Sequence, residues 1–169
     1  MFPKAHAAAY VMMAWRIAYC KIFYPLAYYA AFFSIRASAF SYEIMCQGRD
    51  KLEYYLADYK KRSDTLSKKE QDTLRDMRIV QEMYARGFDF MPIDIYKAKA
   101  RECQIIDGKI MPPLSSVEGL GDKACEQVEE AAKHGPFTSL ENFRNQAKVS
   151  KTNVDKMVEL GILTGLPET

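Results

Sequence analysis

The chain has 169 residues, of which 49% are hydrophobic and 27% charged, and its formal net charge is +2. This length and composition are typical of one globular domain or two small ones, and they exclude a disordered chain. The net charge alone is too small to indicate a nucleic-acid or membrane partner. Four cysteines without a CxxC pair, and only two histidines, indicate neither a zinc motif nor a disulfide framework. They favour reduced cysteines in a cytoplasmic protein.

The N-terminal part is predicted to form two apolar helices. The first covers residues 5–23, and the second covers residues 26–37 and follows Pro25, which suits a first helical turn. The longest uncharged run, residues 22–35, has 14 residues where a membrane span needs about 20, so we predict no membrane partner. Because the second helix is apolar almost all round, the pair is predicted to be buried, within this chain or against parts of a larger protein.

Three further helices are predicted before residue 88. They cover residues 41–47, 49–62 and 67–86. Gly48 and Gly87 end the first and the third, because glycine readily adopts the left-handed conformation that follows many helices. Ser67 and Glu70 predict a capping box at the start of the third, in which each side chain accepts a hydrogen bond from the other residue's backbone N–H.

The pattern changes at Phe88 and again at Pro112. Residues 88–96, FDFMPIDIY, alternate apolar and polar positions, and Asp107-Gly108 is the strongest short signal for a β-hairpin. We therefore predict a mainly α fold with one small β element. The predicted divisions are residues 1–87, 88–111 and 112–169.

The last part of the chain is again predicted to be helical. Its helices are placed at residues 122–133, 140–146 and 150–160. Thr138 with Glu141 predicts a capping box for the second helix, and Ser150 is suited to cap the third. Residues 112–169 contain six basic and nine acidic side chains, a net charge of −3, whereas residues 1–42 carry +4 and no acidic side chain.

The most informative local pattern is Gly119-Leu120-Gly121, directly before a predicted helix. A tight turn that leads into a helix exposes unpaired N–H groups, and the helix dipole adds partial positive charge there, so such a turn can bind phosphate. Lys123 is close enough in sequence to reach the same phosphate. In the alternative interpretation the glycines only relieve strain in the turn, and the short pattern alone does not decide between the two.

The segment SSVEGLGDKACEQVEEA resembles a helix-hairpin-helix, a sequence-independent clamp on the DNA backbone in repair and replication proteins. HGPFTSLENF followed by KVSKTNVDKMVELGIL is similar to the second unit that often accompanies it. The resemblance implies contacts with backbone phosphates, which position a duplex without reading its sequence. The predicted DNA-binding residues are Gly119, Leu120, Gly121, Asp122, Lys123, Lys148, Ser150 and Lys151.

The whole chain resembles PolC-type DNA polymerase III alpha subunits, the replicative polymerases of family C. The similar segments include FPKAHAAAYVMMAWRIAYCKIFYPLAYYAAFFSIRA, RGFDFMPIDIY, DGKIMPP and KVSK. The resemblance implies a carboxy-terminal fragment, in which the helical end of the fingers domain precedes a tandem helix-hairpin-helix unit that holds primer–template duplex. It also implies the remaining polymerase domains as partners.

In this family, palm aspartates with two Mg²⁺ ions perform nucleotidyl transfer. No Asp-x-Asp pair occurs in the 169 residues, so we expect no catalytic residue, metal site or cofactor here and no activity of the fragment alone. The family usually ends in a Gln-x-x-Leu-Phe peptide that binds the sliding clamp. The chain stops at Thr169 without that peptide, so either the end was trimmed or the clamp contact is missing, and the resemblance implies the sliding clamp as a partner of the parent polymerase.

Three residues near the N-terminus are candidates for contacts with the incoming nucleotide or the template. Lys4, His6 and Arg16 lie in the segment that resembles the fingers, and no acidic residue is near them in sequence. In the alternative interpretation, Arg16 only extends its charged end out of a buried helix, and His6 is a capping or core residue.

A second functional hypothesis belongs to a different class. The chain could be a free-standing, non-catalytic helix-hairpin-helix protein that binds DNA or acts as a scaffold. The reading frame upstream of Met1 distinguishes the two hypotheses, because a polymerase gene encodes palm aspartates there.

Overall fold

The structure is a computed structural model that describes residues 3–168. Its described part is mainly helical with one two-stranded sheet, which confirms the predicted fold class. The elements are α1 (Lys4–Phe23), α2 (Pro25–Ala31), α3 (Tyr42–Met45), α4 (Arg49–Lys61), α5 (Lys68–Ala85), β1 (Gln104–Ile106), β2 (Lys109–Met111), α6 (Asp122–Lys133), α7 (Leu140–Ala147) and α8 (Lys151–Glu159). A π-helical turn, Phe32–Arg36, continues α2, and 3₁₀ turns cover Ser63–Thr65 and Leu114–Ser116.

The helix α1 is exposed, so within residues 3–168 the predicted burial of the N-terminal pair is not formed for its first member, and burial of α1 against parts of a larger protein stays a prediction. None of its residues is buried, although α2 and the turn after it bury Tyr29, Ala30 and Phe33. The large apolar side chains of α1 that are more than half exposed are Tyr10, Val11, Met12, Met13, Trp15, Ile17, Tyr19, Ile22 and Phe23. The reason is that a helix that is apolar on all sides needs partners on all sides, and residues 3–168 cover only its C-terminal end.

An ion pair fixes that C-terminal end of α1. Lys21 Nζ lies 2.8 Å from Glu82 Oε1 in α5, and the Arg86 guanidinium donates to the Lys21 carbonyl at 3.0 Å. The hydrogen bond to Glu82 raises the pKa of Lys21. No helix within residues 3–168 combines the length and apolarity needed to cross a bilayer.

The β element is smaller than the sequence pattern predicted. Asp107 and Gly108 form the predicted turn, both with positive φ (50° and 74°), and Ile106 pairs with Lys109 beside it. Residues 88–96 form no strand and contribute a single bridge, between Phe90 and Ile110. Pro92 provides a reason, because it has no N–H to donate to a ladder.

Two apolar clusters make up the core, and β2 takes part in both. Ile110 packs with the cluster built on α2, α4 and α5, whereas Met111 packs with the cluster built on α6, α7 and α8. Neighbouring residues of a strand point to opposite faces, so one short strand joins the two clusters. The second cluster positions the candidate site.

The helix caps agree with the sequence in two cases and differ in one. Ser67 and Glu70 form the predicted capping box, and Ser150 caps α8. The capping box predicted from Thr138 and Glu141 was wrong, because the N-cap is Ser139, one residue after Thr138, and its hydroxyl accepts from the N–H of Asn142 at 3.1 Å.

Candidate nucleic-acid interface

Two short hairpins lead into α6 and α8. Hairpin 1 consists of residues 119–121, and hairpin 2 consists of residues 148–150. Each begins with a residue at positive φ, +89° at Gly119 and +52° at Lys148. Glycine adopts this conformation without strain, whereas a residue with a Cβ does so at a cost. Lys148 therefore occupies the backbone position that glycine occupies in hairpin 1.

The second and third positions of the two hairpins also match. Leu120 and Val149 are both buried in the same apolar cluster. Gly121 and Ser150 are both helix N-caps with extended backbone, at φ −68° and ψ 159° and at φ −65° and ψ 151°. The two hairpins thus share a positive φ at the first position and an extended N-cap at the third, and each presents the N-terminus of the helix that follows.

The two helix N-termini differ in how many backbone N–H groups they leave unpaired. The first N–H groups of a helix have no acceptor within the helix. No side chain caps α6, so the N–H groups of residues 122–124 remain available. In α8 the Ser150 hydroxyl accepts from the N–H of Asn153 at 3.3 Å, which leaves those of residues 151 and 152. Hairpin 1 is therefore the richer source of N–H donors.

The two hairpins are adjacent in space. A Cβ placed on Gly119 would lie 3.6 Å from Oδ1 of Asn153, in the first turn of α8. The first residue of hairpin 1 therefore lies beside the first turn of α8, the helix that follows hairpin 2.

The lysines predicted for DNA binding have free charges. Lys123, Lys148 and Lys151 are exposed and form no ion pair with any residue between 3 and 168. Asp122 is different, since its Oδ2 lies 3.3 Å from Nη2 of Arg101. What Asp122 can offer a phosphate is therefore its backbone N–H, because its carboxylate is an anion.

The buried thiol of Cys125 forms a hydrogen bond with the backbone of hairpin 1. The Cys125 thiol donates to the Leu120 carbonyl, with Sγ and O 3.6 Å apart, and the N–H of Cys125 donates to the Gly121 carbonyl at 3.0 Å. Burial raises the pKa of Cys125 to about 11, so the thiol stays protonated at neutral pH and remains a donor. Cys125 therefore pairs the carbonyls of two residues of hairpin 1.

The three candidates on α1 are not brought together. At 3.6 residues per turn, His6 and Arg16 lie roughly 200° and 120° around the helix from Lys4, and Arg16 is about 18 Å along the axis. All three side chains are exposed, and the His6 ring packs on Tyr10 with centroids 4.7 Å apart. Their role toward nucleotide or template stays a prediction.

Sequence reasoning missed three residues of this site: Arg101, Cys125 and Asn153. Asn153 had a usable signal, since it is the third helical residue after a serine cap. Arg101 had none, because its partner Asp122 is 21 positions further along the chain. Within residues 3–168, no group of three or more His, Cys, Asp or Glu side chains could hold a metal ion.

Residues 87–169 match the family model described as "Helix-hairpin-helix motif". The match includes both hairpins and the helices α6, α7 and α8. This part of the chain is therefore a helix-hairpin-helix unit, the class that the paired hairpins define.

Curated relatives extend the similarity over the whole chain. The protein named DNA polymerase III PolC-type is 38% identical over 169 residues in Caldanaerobacter subterraneus subsp. tengcongensis and 40% identical over 169 residues in Clostridium perfringens. The protein of that name in Streptococcus pyogenes serotype M5 is 43% identical over 170 aligned positions. The chain is therefore a sequence relative of PolC-type DNA polymerase III. It spans about 12% of the length of these relatives, while 99–100% of the chain is matched.

Proposed function

We propose that the chain acts as a non-catalytic part of a replicative DNA polymerase and holds the primer–template duplex by its backbone phosphates. The observation that carries the proposal is the pair of adjacent hairpins with one backbone form, each presenting a helix N-terminus. Helix N-termini attract phosphate through unpaired N–H groups and the helix dipole. Lys123, Lys148 and Lys151 add positive charge beside them.

The rest of the polymerase supplies the chemistry in this proposal. The parent enzyme carries the palm aspartates with their Mg²⁺ ions and the other polymerase domains. Its partner is the cytoplasmic sliding clamp. The described residues contain no group that fits a metal ion, so no step through a metal is assigned to them. The chain alone is expected to bind duplex and to have no polymerase activity.

The extent of the similarity favours this proposal over a free-standing DNA-binding protein. The helix-hairpin-helix model begins at residue 87, but the PolC-type relatives match all 169 residues, including α1 to α5. A free-standing helix-hairpin-helix protein gives no reason for that likeness in the first half of the chain.

Fluorescence anisotropy of the 169-residue chain with labelled duplexes tests the proposal. Because few phosphates are contacted, we expect weak binding that does not depend on sequence. Each contact adds about 0.9 to the magnitude of the slope of log affinity against log salt. Lys151→Gln should weaken binding and lower that slope by about one. Lys109→Gln is the matched control, since Lys109 is exposed on β2 and forms no ion pair within residues 3–168.

Two outcomes would overturn the proposal. One is the absence of duplex binding at low salt by a chain that is folded by circular dichroism. The other is an equal loss of affinity in the Lys151→Gln and Lys109→Gln variants, since this would indicate a diffuse effect of net charge.

A further inference from the structure

Two carboxylates flank hairpin 1 and oppose the binding of an anion there. Glu118 directly precedes Gly119, and Asp122 directly follows Gly121. Hairpin 2 has no acid at the matching positions, where Ala147 and Lys151 stand. Hairpin 1 therefore presents more N–H groups but also two negative charges close to the phosphate they would bind.

Each of these carboxylates is paired with a cation from outside residues 112–169. Asp122 Oδ2 lies 3.3 Å from Nη2 of Arg101, in the segment before β1. Glu118 Oε1 lies 3.8 Å from Nζ of Lys69, in the first turn of α5. Arg101 also contacts Glu126 one turn further along α6, with Nη2 and Oε1 2.9 Å apart.

The two cations face one cleft beside hairpin 1. This cleft has a volume of about 470 Å³, and Lys69, Arg101 and Glu118 are among its lining residues. Arg101 carries one positive charge against the two negative charges of Asp122 and Glu126, so it is not a free cation for a phosphate. What it can do is cancel charge at the start of α6.

We propose that Arg101 and Lys69 are positioning residues for DNA binding, which neutralise Asp122 and Glu118 so that a phosphate can approach the N–H groups of hairpin 1. This inference rests on the proposed function. The shorter contact makes Arg101 the stronger of the two. An unpaired carboxylate about 6 Å from a phosphate in water costs roughly a threefold loss of affinity at low salt.

The test is anisotropy of the 169-residue chain with a duplex probe at low salt. Arg101→Gln should weaken binding about threefold, and Arg101→Lys, which keeps the charge, should restore most of the affinity. Adding Asp122→Asn to Arg101→Gln should restore most of the affinity lost in Arg101→Gln, because the carboxylate left without its cation is then removed. Glu126→Gln is the matched control, since it removes the other partner of Arg101 and leaves the Asp122 pair intact.

Folding is not expected to complicate this test. The side chains of Arg101 and Asp122 are 58% and 67% exposed, and ion pairs so exposed contribute little to stability. Thermal unfolding of each variant checks this point. If Arg101→Gln does lower the unfolding temperature, the comparison of Arg101→Gln with the double variant at a temperature where both are folded still decides the role.

Three results bear on the inference. A double variant Arg101→Gln, Asp122→Asn that binds as weakly as Arg101→Gln would overturn it, because the charge of Asp122 would then not oppose the phosphate. Unchanged affinity in Arg101→Gln, with a clear loss in Lys151→Gln, would overturn the inference and leave the proposed function standing. Failure of the unsubstituted chain to bind duplex would instead overturn the proposed function.

Discussion

Hairpin 1 and hairpin 2 reach the same backbone form with different residues. Hairpin 1 uses Gly119 at positive φ and Gly121 as the N-cap, whereas hairpin 2 uses Lys148 and Ser150 at these positions. Hairpin 1 thereby gains unpaired N–H groups and avoids strain, but its flanking acids need cations from elsewhere in the chain. Hairpin 2 carries its own positive charge but places Lys148 in the left-handed backbone conformation. The comparison shows that backbone geometry and charge can be supplied separately in two copies of one motif.

Adding a side chain at the first residue of hairpin 1 and removing one at the first residue of hairpin 2 should change the free energy of unfolding in opposite directions. Gly119→Ala places a Cβ at φ +89° and should lower the free energy of unfolding by about 1.5 kcal/mol, since the Cβ meets Asn153 Oδ1 at an ordinary van der Waals distance of 3.6 Å but the conformation is strained. Lys148→Gly relieves strain at φ +52° and should raise it by roughly 0.5 kcal/mol after the entropy cost of glycine. Urea unfolding measures both. Lys148→Gly should also weaken duplex binding, because a charge is lost.

The comparison would be broken if Lys148→Gly destabilised the chain. In that case the lysine would make a favourable contact in the left-handed conformation, and the two hairpins would not share one strained position. Lys148→Asn is the control, since asparagine tolerates the left-handed conformation at this position.

Exchanging the caps should have a smaller effect. Ser150→Ala removes the acceptor for the N–H of Asn153 and should cost about 1 kcal/mol of unfolding free energy. Gly121→Ser adds such an acceptor to α6, where nothing lies within 4 Å of the added Cβ, and should be neutral or stabilising by a few tenths of a kcal/mol. Because the new hydroxyl accepts a hydrogen bond from one of the backbone N–H groups at the start of α6, Gly121→Ser should also weaken duplex binding. Tighter binding in this variant would contradict the role given to the N–H groups.

Much of the fold could be predicted from the sequence because its signals are local. The capping box at Ser67, the turn at Asp107-Gly108 and the serine cap at Ser150 each depend on residues at most three positions apart. Hairpin 1 was predictable for the same reason, since two glycines before a helix are visible in the sequence.

The remaining features depend on contacts between distant segments. Lys148 gives no sequence signal for the left-handed conformation in which it ends α7. The pairing of Arg101 with Asp122 requires the β element to be in place. The exposure of α1 could not be predicted either, because its composition indicates burial, whereas the partners available within residues 3–168 decide it.

The most direct test of joint phosphate binding is a titration of the ¹⁵N-labelled chain with duplex DNA, followed by backbone amide chemical shifts. We predict that the amides of residues 122–124 and of residues 151 and 152 shift together and give one dissociation constant. The start of α7 is an internal control that should not shift, because the N–H of Leu140 already donates to the Pro167 carbonyl at 2.8 Å. Shifts at only one hairpin, or larger shifts at the start of α7, would contradict the account.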